Sequence, residues 1–523
     1  MMVSSRTLAV RCVFLLLTAH AIVAVTPAGL LAQPTSRPLT LAEAIERVTG
    51  VSESVALARA GAQRARGQYG QARSALLPQV NTSLNWQKQL QNQFAAVSRR
   101  LSSNNNGGSS NDSSLTSNPI TRIFASEYNF NFGLVASQPL FTGGRATATI
   151  RAANAARESA ELGISAAQAQ AQLEVTQAYY DAALSDRLVT IAESTLVQTE
   201  RTLKQVQLTR SVGSASEFEL IRARVTRDNQ RPAWLQARTQ REVAMMRLKQ
   251  LLDLPTEQAL VLVDSVAEVP PSPTTTNPTA TITSVMVNPA DVLTLDAQVR
   301  SDVAARVANS DTAARARVAV RQASKGVEAA QQQLRATKAQ RLPSIGLQTN
   351  YQRLAYPQNI LPKSLADFFP NWTVGIGLSY PLFSGGRIRG EIVAAEAGVM
   401  EARQRLKLAE EGATLDARLA ALQLTEAEAA WLASVGTAEQ AQRAYDIAEV
   451  RFREGISTQL ELSETRVQLQ QALANRARAA RDLQVARKRL QLLPFLPLGS
   501  MTAGSAAAAT GAAPSMTSSG PAR

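Results

Sequence analysis

The stretch PLFTGGR runs from Pro139 to Arg145, and PLFSGGR runs from Pro381 to Arg387, 242 positions later. The same offset carries SVGSASEFELIRARV (Ser211–Val225) onto REGISTQLELSETRV (Arg453–Val467), so that Gly213 meets Gly455, Leu220 meets Leu462 and Val225 meets Val467. Upstream, ALLPQVNTSLNWQ (Ala75–Gln87) matches QRLPSIGLQTNYQ (Gln340–Gln352) at an offset of 265. The difference between 265 and 242, 23 residues, fits a loop present only in the first copy, visible as SRRLSSNNNGGSSNDSSLTSNP (Ser98–Pro119). That tract is too polar to pack and reads as surface or disordered chain. A sequence written twice in this way describes one structural unit duplicated, not several unrelated domains.

Each copy reads as a helix, two strands and two long helices. LTLAEAIERVTG (Leu39–Gly50) opens the first, with Thr40 as N-cap and Glu43 three residues later as its capping-box partner. The period then changes to two: Val80, Thr82, Leu84 and Trp86 alternate with polar residues, as do Tyr128, Phe130, Phe132 and Leu134. In the second copy Ile345, Leu347 and Tyr351 pair with Trp372, Val374, Ile376, Leu378 and Tyr380. Alternation with aromatics near the ends is the pattern of a half-buried strand, and of transmembrane β-strands in particular. From Gly144 to Val212 and from Gly386 to Glu454 the period is helical, with apolar seams such as Leu415, Leu419, Leu422 and Ala429, and after the second tip Leu462, Leu469, Leu473, Ala480, Leu483 and Leu490. These seams are narrow, like those of coiled coils. A helix of about 70 residues is roughly 100 Å long, too long for a compact domain.

The quoted phrase therefore sits where a strand ends and a long helix begins. Pro139 and Pro381 open the two junctions, Leu140 and Phe141 finish the first strand, and Arg145 falls in the first helical turn. The pairs Gly143–Gly144 and Gly385–Gly386 supply backbone angles barred to other residues. A phosphate-cradling loop would need Gly-Lys-Ser/Thr, which neither copy has, so the phrase is a structural hinge. The implied organisation is a signal peptide at 1–32, a first repeat at 33–267, a Pro/Thr-rich connector at 268–289, a second repeat at 290–493 and a low-complexity tail at 494–523.

Residue counts narrow the function. Among 523 residues the single histidine is His20 and the single cysteine is Cys12. Both lie in a stretch with the form of a secretory signal: Arg6 and Arg11, then CVFLLLTAHAIVAV, then small residues from Ala28 to Ala32. The exported chain would lack both residue types, which excludes Ser-His-Asp and Cys-His catalysis and the usual zinc sites. A hydrolase built on paired carboxylates would still need a compact domain to hold them, and none is legible. Cys12 precedes the apolar run, so the expected protein is non-lipidated. No other stretch is long and apolar enough for a membrane-spanning helix, which leaves a β-barrel as the form in which this chain would cross a bilayer. The net charge of +14 is scattered along solvated helix faces and does not point to nucleic acid.

The order of these features at fixed offsets, with the two PLF(T/S)GGR junctions and the tips VGSASEFEL and EGISTQLEL, resembles the TolC-like outer-membrane efflux proteins, the outer membrane factors, over roughly Leu39–Leu493. The resemblance implies a mainly α fold with a transmembrane β-barrel: a homotrimer in which four strands per protomer share a barrel in outer-membrane lipid, and long coiled-coil-like helices form a periplasmic α-barrel. It further implies a passive exit duct of a tripartite efflux or type I secretion system, without catalysis or cofactor. The partners would be a periplasmic adaptor (membrane fusion protein) and an inner-membrane pump of RND, ABC or MFS type. Adaptor docking would fall on the tips, Gly213, Ser214, Ala215, Ser216, Gly455, Ile456, Ser457 and Thr458. The family's constriction aspartates correspond to Glu461 and Glu464, with Glu219 the first-repeat equivalent of Glu461; three chains would gather these acids in a ring that attracts cations. Two positions depart from the family: Phe452 and Ser457 stand where a tyrosine and an arginine help hold the closed state. The competing reading, a structural coiled-coil protein of the cell envelope, accounts for the helices but not for the four alternating segments. The cargo is not legible, and 8 Met with no exported His or Cys give no support for soft-metal handling.

Overall fold

The computed structural model describes residues 37–90, 128–263, 315–357, 362, 364 and 368–499. The expected signal peptide, the Ser98–Pro119 loop and the 268–289 connector lie outside them. The elements in chain order are β1 (Arg37–Leu39), α1 (Leu41–Val51), α2 (Glu53–Ser74), β2 (Gln79–Lys88), β3 (Tyr128–Phe141), α3 (Arg145–Ser211), α4 (Glu217–Leu251), β4 (Leu260–Leu262), α5 (Val318–Lys338), β5 (Ser344–Ala355), β6 (Phe369–Ser379), α6 (Arg387–Arg453) and α7 (Gln459–Leu492). The fold is mainly helical.

The sequence offsets reappear in the element boundaries. α3 and α6 begin 242 positions apart and are each 67 residues long. α2 and α5 begin 265 positions apart, as do β2 and β5. At 1.5 Å per residue each long helix extends about 100 Å. Their buried stripes are rich in alanine, including Ala169, Ala171, Ala178 and Ala182 of α3 and Ala413, Ala417, Ala420 and Ala421 of α6, which lets neighbouring helices approach closely. α4 carries Pro232 internally and so forfeits one backbone hydrogen bond, whereas α7 has Ala474 in the corresponding place. No described helix is long and apolar enough to cross a membrane.

β2, β3, β5 and β6 form one antiparallel sheet in that order. Its register sorts the side chains by type. Val80, Thr82, Leu84 and Trp86 of β2 align with Ala136, Leu134, Phe132 and Phe130 of β3. These continue into Thr349, Tyr351, Arg353 and Ala355 of β5, and Thr349 and Tyr351 into Val374 and Trp372 of β6. The opposite face carries Asn81, Ser83, Asn85, Asn131, Gln348, Asn350 and Thr373. The sheet thus has one predominantly apolar face and one polar face, and both outer strands, β2 and β6, are exposed along their whole length. β6 ends at Ser379, so Tyr380 and the second PLF lie beyond the strand, while β3 continues through Phe141 with a register shift between Pro139 and Phe141.

The main core lies midway along the helices. Tyr179, Val175 and Leu248 are fully buried there with Val48, Val55 and Leu252, and the short parallel pair β1–β4 closes over them, its Leu39 carbonyl accepting a hydrogen bond from Tyr179 Oη at 3.0 Å. The expected N-cap of α1 forms, Glu43 N–H donating to Thr40 Oγ1 at 3.3 Å. Nearby, Arg317 is 1% exposed and donates to Asp416 at 2.6 Å and to the Ala413 carbonyl at 3.1 Å, while Arg489 takes the other Asp416 oxygen at 3.0 Å. Leu496, which the sequence reading assigns to the tail, is 1% exposed against Ala169, Leu173 and Leu492, so the packed chain runs past Leu493.

Candidate functional site

Two places were marked by the sequence. At the strand–helix junctions Gly143 and Gly385 have φ of 60° and 58°, and Gly144 and Gly386, the N-caps of α3 and α6, both have φ of 84°. A Cβ on Gly143 would stand 2.6 Å from Leu342 Cβ and 3.2 Å from the Ala339 carbonyl oxygen, so both the angle and the space require glycine. A Cβ on Gly385 meets nothing within 4 Å. Pro139 and Pro381 precede these turns as expected.

The far ends of the long helices form the second place. Each ends in a Schellman turn, the 6→1 and 5→2 pair of bonds that satisfies a helix's last carbonyls. In the first, Ser214 N–H donates to Thr209 O at 3.0 Å and Gly213 N–H to Arg210 O at 2.9 Å; in the second, Ile456 N–H donates to Arg451 O at 2.8 Å and Gly455 N–H to Phe452 O at 3.1 Å. The following helices are capped by Ser216 and Thr458, whose hydroxyls accept from the N–H groups of Glu219 and Glu461. Ser214, Ser216, Ile456 and Thr458 are exposed at these tips, with Ala215 and Ser457 half-buried.

The three candidate acids have different surroundings. Glu219 turns back to accept from Ser216 N–H at 3.1 Å, completing a capping box. Glu461 instead reaches across its own turn to Arg451 at 3.1 Å, both side chains partly exposed. Glu464 is exposed and forms no ion pair among the described residues. No group of three His, Cys, Asp or Glu suited to a metal ion occurs among the described residues.

What joins the two tips was not legible in the sequence. Phe452 packs both against Leu203, Val206, Leu220 and Ala223 of the first hairpin and against Tyr445, Ala448 and Leu462 of its own. Gln459, at the first turn of α7, is 6% exposed; with its amide oriented to its surroundings it donates to the Glu219 carbonyl and accepts from Ala223 N–H, each at 3.1 Å. Arg466 is buried about two turns further along the same face of α7, and burial lowers its guanidinium from the ordinary value. Burial, aided by the charge of Glu449, pushes the Tyr445 hydroxyl beside it up to about 12. A ring and an amide thus link the hairpins where a phenol and a guanidinium are absent. The sequence reading also passed over the apolar residues displayed at the tips: Val212 is 77% exposed and Phe218 and Leu208 70% each, beside Ile456 at 69%.

The overall fold is shared with solved structures. The chain is similar to the Campylobacter jejuni CmeC outer membrane channel, with 16% identity, a TM-score of 0.65, and 88% of this chain and 86% of that one covered. It is similar to VceC, an outer membrane protein of Vibrio cholerae, with 17% identity and a TM-score of 0.64 over 87% of this chain and 96% of that one. For the open state of the Neisseria gonorrhoeae MtrE outer membrane channel the identity is 18% and the TM-score 0.64, over 87% and 89%. No curated protein sequence matches the chain significantly. The model of the outer membrane efflux protein family matches residues 44–253 and 309–493, most of the chain on both sides of the connector, and the chain belongs to that family.

Proposed function

We propose that three copies of this chain assemble into an outer-membrane exit duct, passive and without cofactor, whose helical part lies in the periplasm. The observation that carries this reading is the two-faced sheet with both edges unpaired. Four strands cannot close on themselves, but three copies supply twelve, an even and edge-free set. Strands of 10 to 14 residues, tilted as in such barrels, span about 25 Å, the height of an outer-membrane apolar band. The Val80–Trp86 and Trp372–Leu378 face would meet lipid and the Asn/Ser/Gln face would line water.

Since α3 and α6 run from the sheet to the tips, the tips would stand about 100 Å below the membrane strands. There a periplasmic adaptor would dock on Ser214–Ser216 and Ile456–Thr458, with the exposed Val212 and Phe218 as apolar anchors, and an inner-membrane pump would supply the energy. Glu461 and Glu464, repeated around a threefold axis, would form the cation-selective constriction, with Glu219 behind them in its cap.

The test is heat-modifiable mobility of the protein in outer-membrane fractions, followed by conductance in planar bilayers. Discrete cation-preferring channels are expected; a chain that stays monomeric and non-conducting would overturn the duct.

A further inference from the structure

Where the two hairpins meet near the tips, a buried cation stands without a counter-charge. Arg466 of α7 is 4% exposed and forms no hydrogen bond or ion pair among the described residues. It lines a cavity of about 10 Å³, room for one water molecule, whose wall is completed by Thr199 and Thr202 of α3, Thr226 of α4 and Ser463 of α7. Its neighbour Tyr445 gives no compensation: that side chain is also buried, and with its hydroxyl pushed up to about 12 it is neutral at ordinary pH.

The lining decides what the cavity can hold. Each of its four hydroxyls gives its proton to its own helix: Thr199 Oγ1 donates to the Leu196 carbonyl at 2.7 Å, Thr202 to Gln198 at 3.0 Å, Thr226 to Arg222 at 2.8 Å and Ser463 to Leu460 at 2.8 Å. What they turn to the cavity is lone pairs. The Gln459 amide is committed to the Glu219 carbonyl and Ala223 N–H. A small anion would be drawn by the guanidinium but would find no hydroxyl donor and would face oxygen lone pairs. A water molecule accepts from Arg466 and donates to two of the hydroxyls, which satisfies both kinds of group.

We propose that this cavity is a one-water site holding Arg466 as an uncompensated cation between the packed hairpins, and that Arg466 thereby opposes their packing. A charge buried without a counter-charge is costly, and one water replaces only part of its hydration. As the hairpins part, bulk water reaches the guanidinium and that cost is relieved. Arg466 thus acts against Phe452 and Gln459, which hold the hairpins together. The first half lacks the arrangement: Arg224, at the same place in the repeat, is exposed, and Ala441 and Ala444 stand where the cavity has Thr199 and Thr202. The effect on opening rests on the duct reading; the effect on hairpin packing does not.

Charge removal in the full-length protein tests this. Arg466→Met and Arg466→Gln are neutral, and Arg466→Lys keeps the charge. Hydrogen–deuterium exchange in detergent reads segments 218–226 and 459–466, with the core helices around Tyr179 as the folding reference; two neutral side chains are used so that a core disturbed by one leaves the other to decide. Both neutral variants should slow tip exchange about tenfold, since removing an unpaired buried charge stabilises its surroundings, while Arg466→Lys stays near the parent. In planar bilayers the neutral variants should open less often, opposite to Gln459→Ala. Tip exchange that is unchanged or faster in the neutral variants, or a core loosened in both, overturns the proposal and makes Arg466 a support of the packing. Replacing chloride by gluconate at equal ionic strength should leave the parent's tip exchange unchanged; a slowing by chloride that Arg466→Met abolishes overturns the water in favour of a small anion. Slowed exchange in neutral variants, with no conductance from them or the parent, upholds the buried charge and overturns the duct alone.

Discussion

Replacing Gly143 with alanine should be among the most damaging single-methyl changes in the chain. Its φ of 60° costs an L-residue about 1–2 kcal/mol. The new methyl would also stand 2.6 Å from Leu342 Cβ and 3.2 Å from both Leu342 Cδ1 and the Ala339 carbonyl, an overlap that costs about 1–3 kcal/mol in packed surroundings. The sum, about 2–5 kcal/mol, lowers the folded-to-unfolded ratio at least tens-fold. Gly385→Ala has nearly the same φ, 58°, but no neighbour within 4 Å in its own chain, so there the backbone cost of about 1–2 kcal/mol stands alone unless another copy covers it. Urea unfolding of detergent-solubilised protein, read by tryptophan fluorescence, gives both values. Adding Leu342→Gly to Gly143→Ala should recover part of the loss, because it removes two of the three overlaps but leaves the backbone angle. A Gly143→Ala protein within about 0.5 kcal/mol of the parent, the range of an ordinary surface change, would refute the close-approach argument. Equal losses for Gly143→Ala and Gly385→Ala would show that something does lie over Gly385 in the assembled state.

The remaining expectations concern the tips and the core. Gln459→Ala should remove about 1–3 kcal/mol of attachment between the hairpins and raise the open probability in planar bilayers; Gln459→Glu should do so further, since a carboxylate cannot donate to the Glu219 carbonyl. No change in gating for either would remove Gln459 from the latch. Glu461→Ala with Glu464→Ala should reduce cation preference and weaken block by multivalent cations, and unchanged reversal potentials would place both acids outside the constriction. Asp416→Ala strands the buried Arg317 and should cost about 3–5 kcal/mol in urea unfolding, against a small loss if the pair were solvated. Phe218→Asp, at an exposed tip position, should leave unfolding unchanged while lowering in-cell crosslinking to a periplasmic adaptor; undiminished crosslinking would exclude Phe218 from docking.

The parts legible in the sequence are those set by local rules. Period-two alternation placed the four strands because each has one apolar face, and the Gly pairs placed the junctions because only glycine takes φ near +60° to +84° at low cost. The tip glycines were legible for the same reason. The linkage between the tips was not, because the two halves use equivalent positions differently. Glu217 and Gln459 share one place in the repeat, yet Glu217 pairs with Arg210 on its own hairpin while Gln459 crosses to the other. Thr209 stands where the second tip has Arg451, so Glu461 finds a cation that Glu219 lacks, and Glu219 folds back into its cap. A duplicated sequence reports where its halves agree. If the proposed duct opens by moving one hairpin against the other, that motion would break contacts such as those of Phe452 and Gln459, in which the halves disagree. Gating residues in this chain should therefore be sought at the repeat positions that break the offset, not at those that keep it.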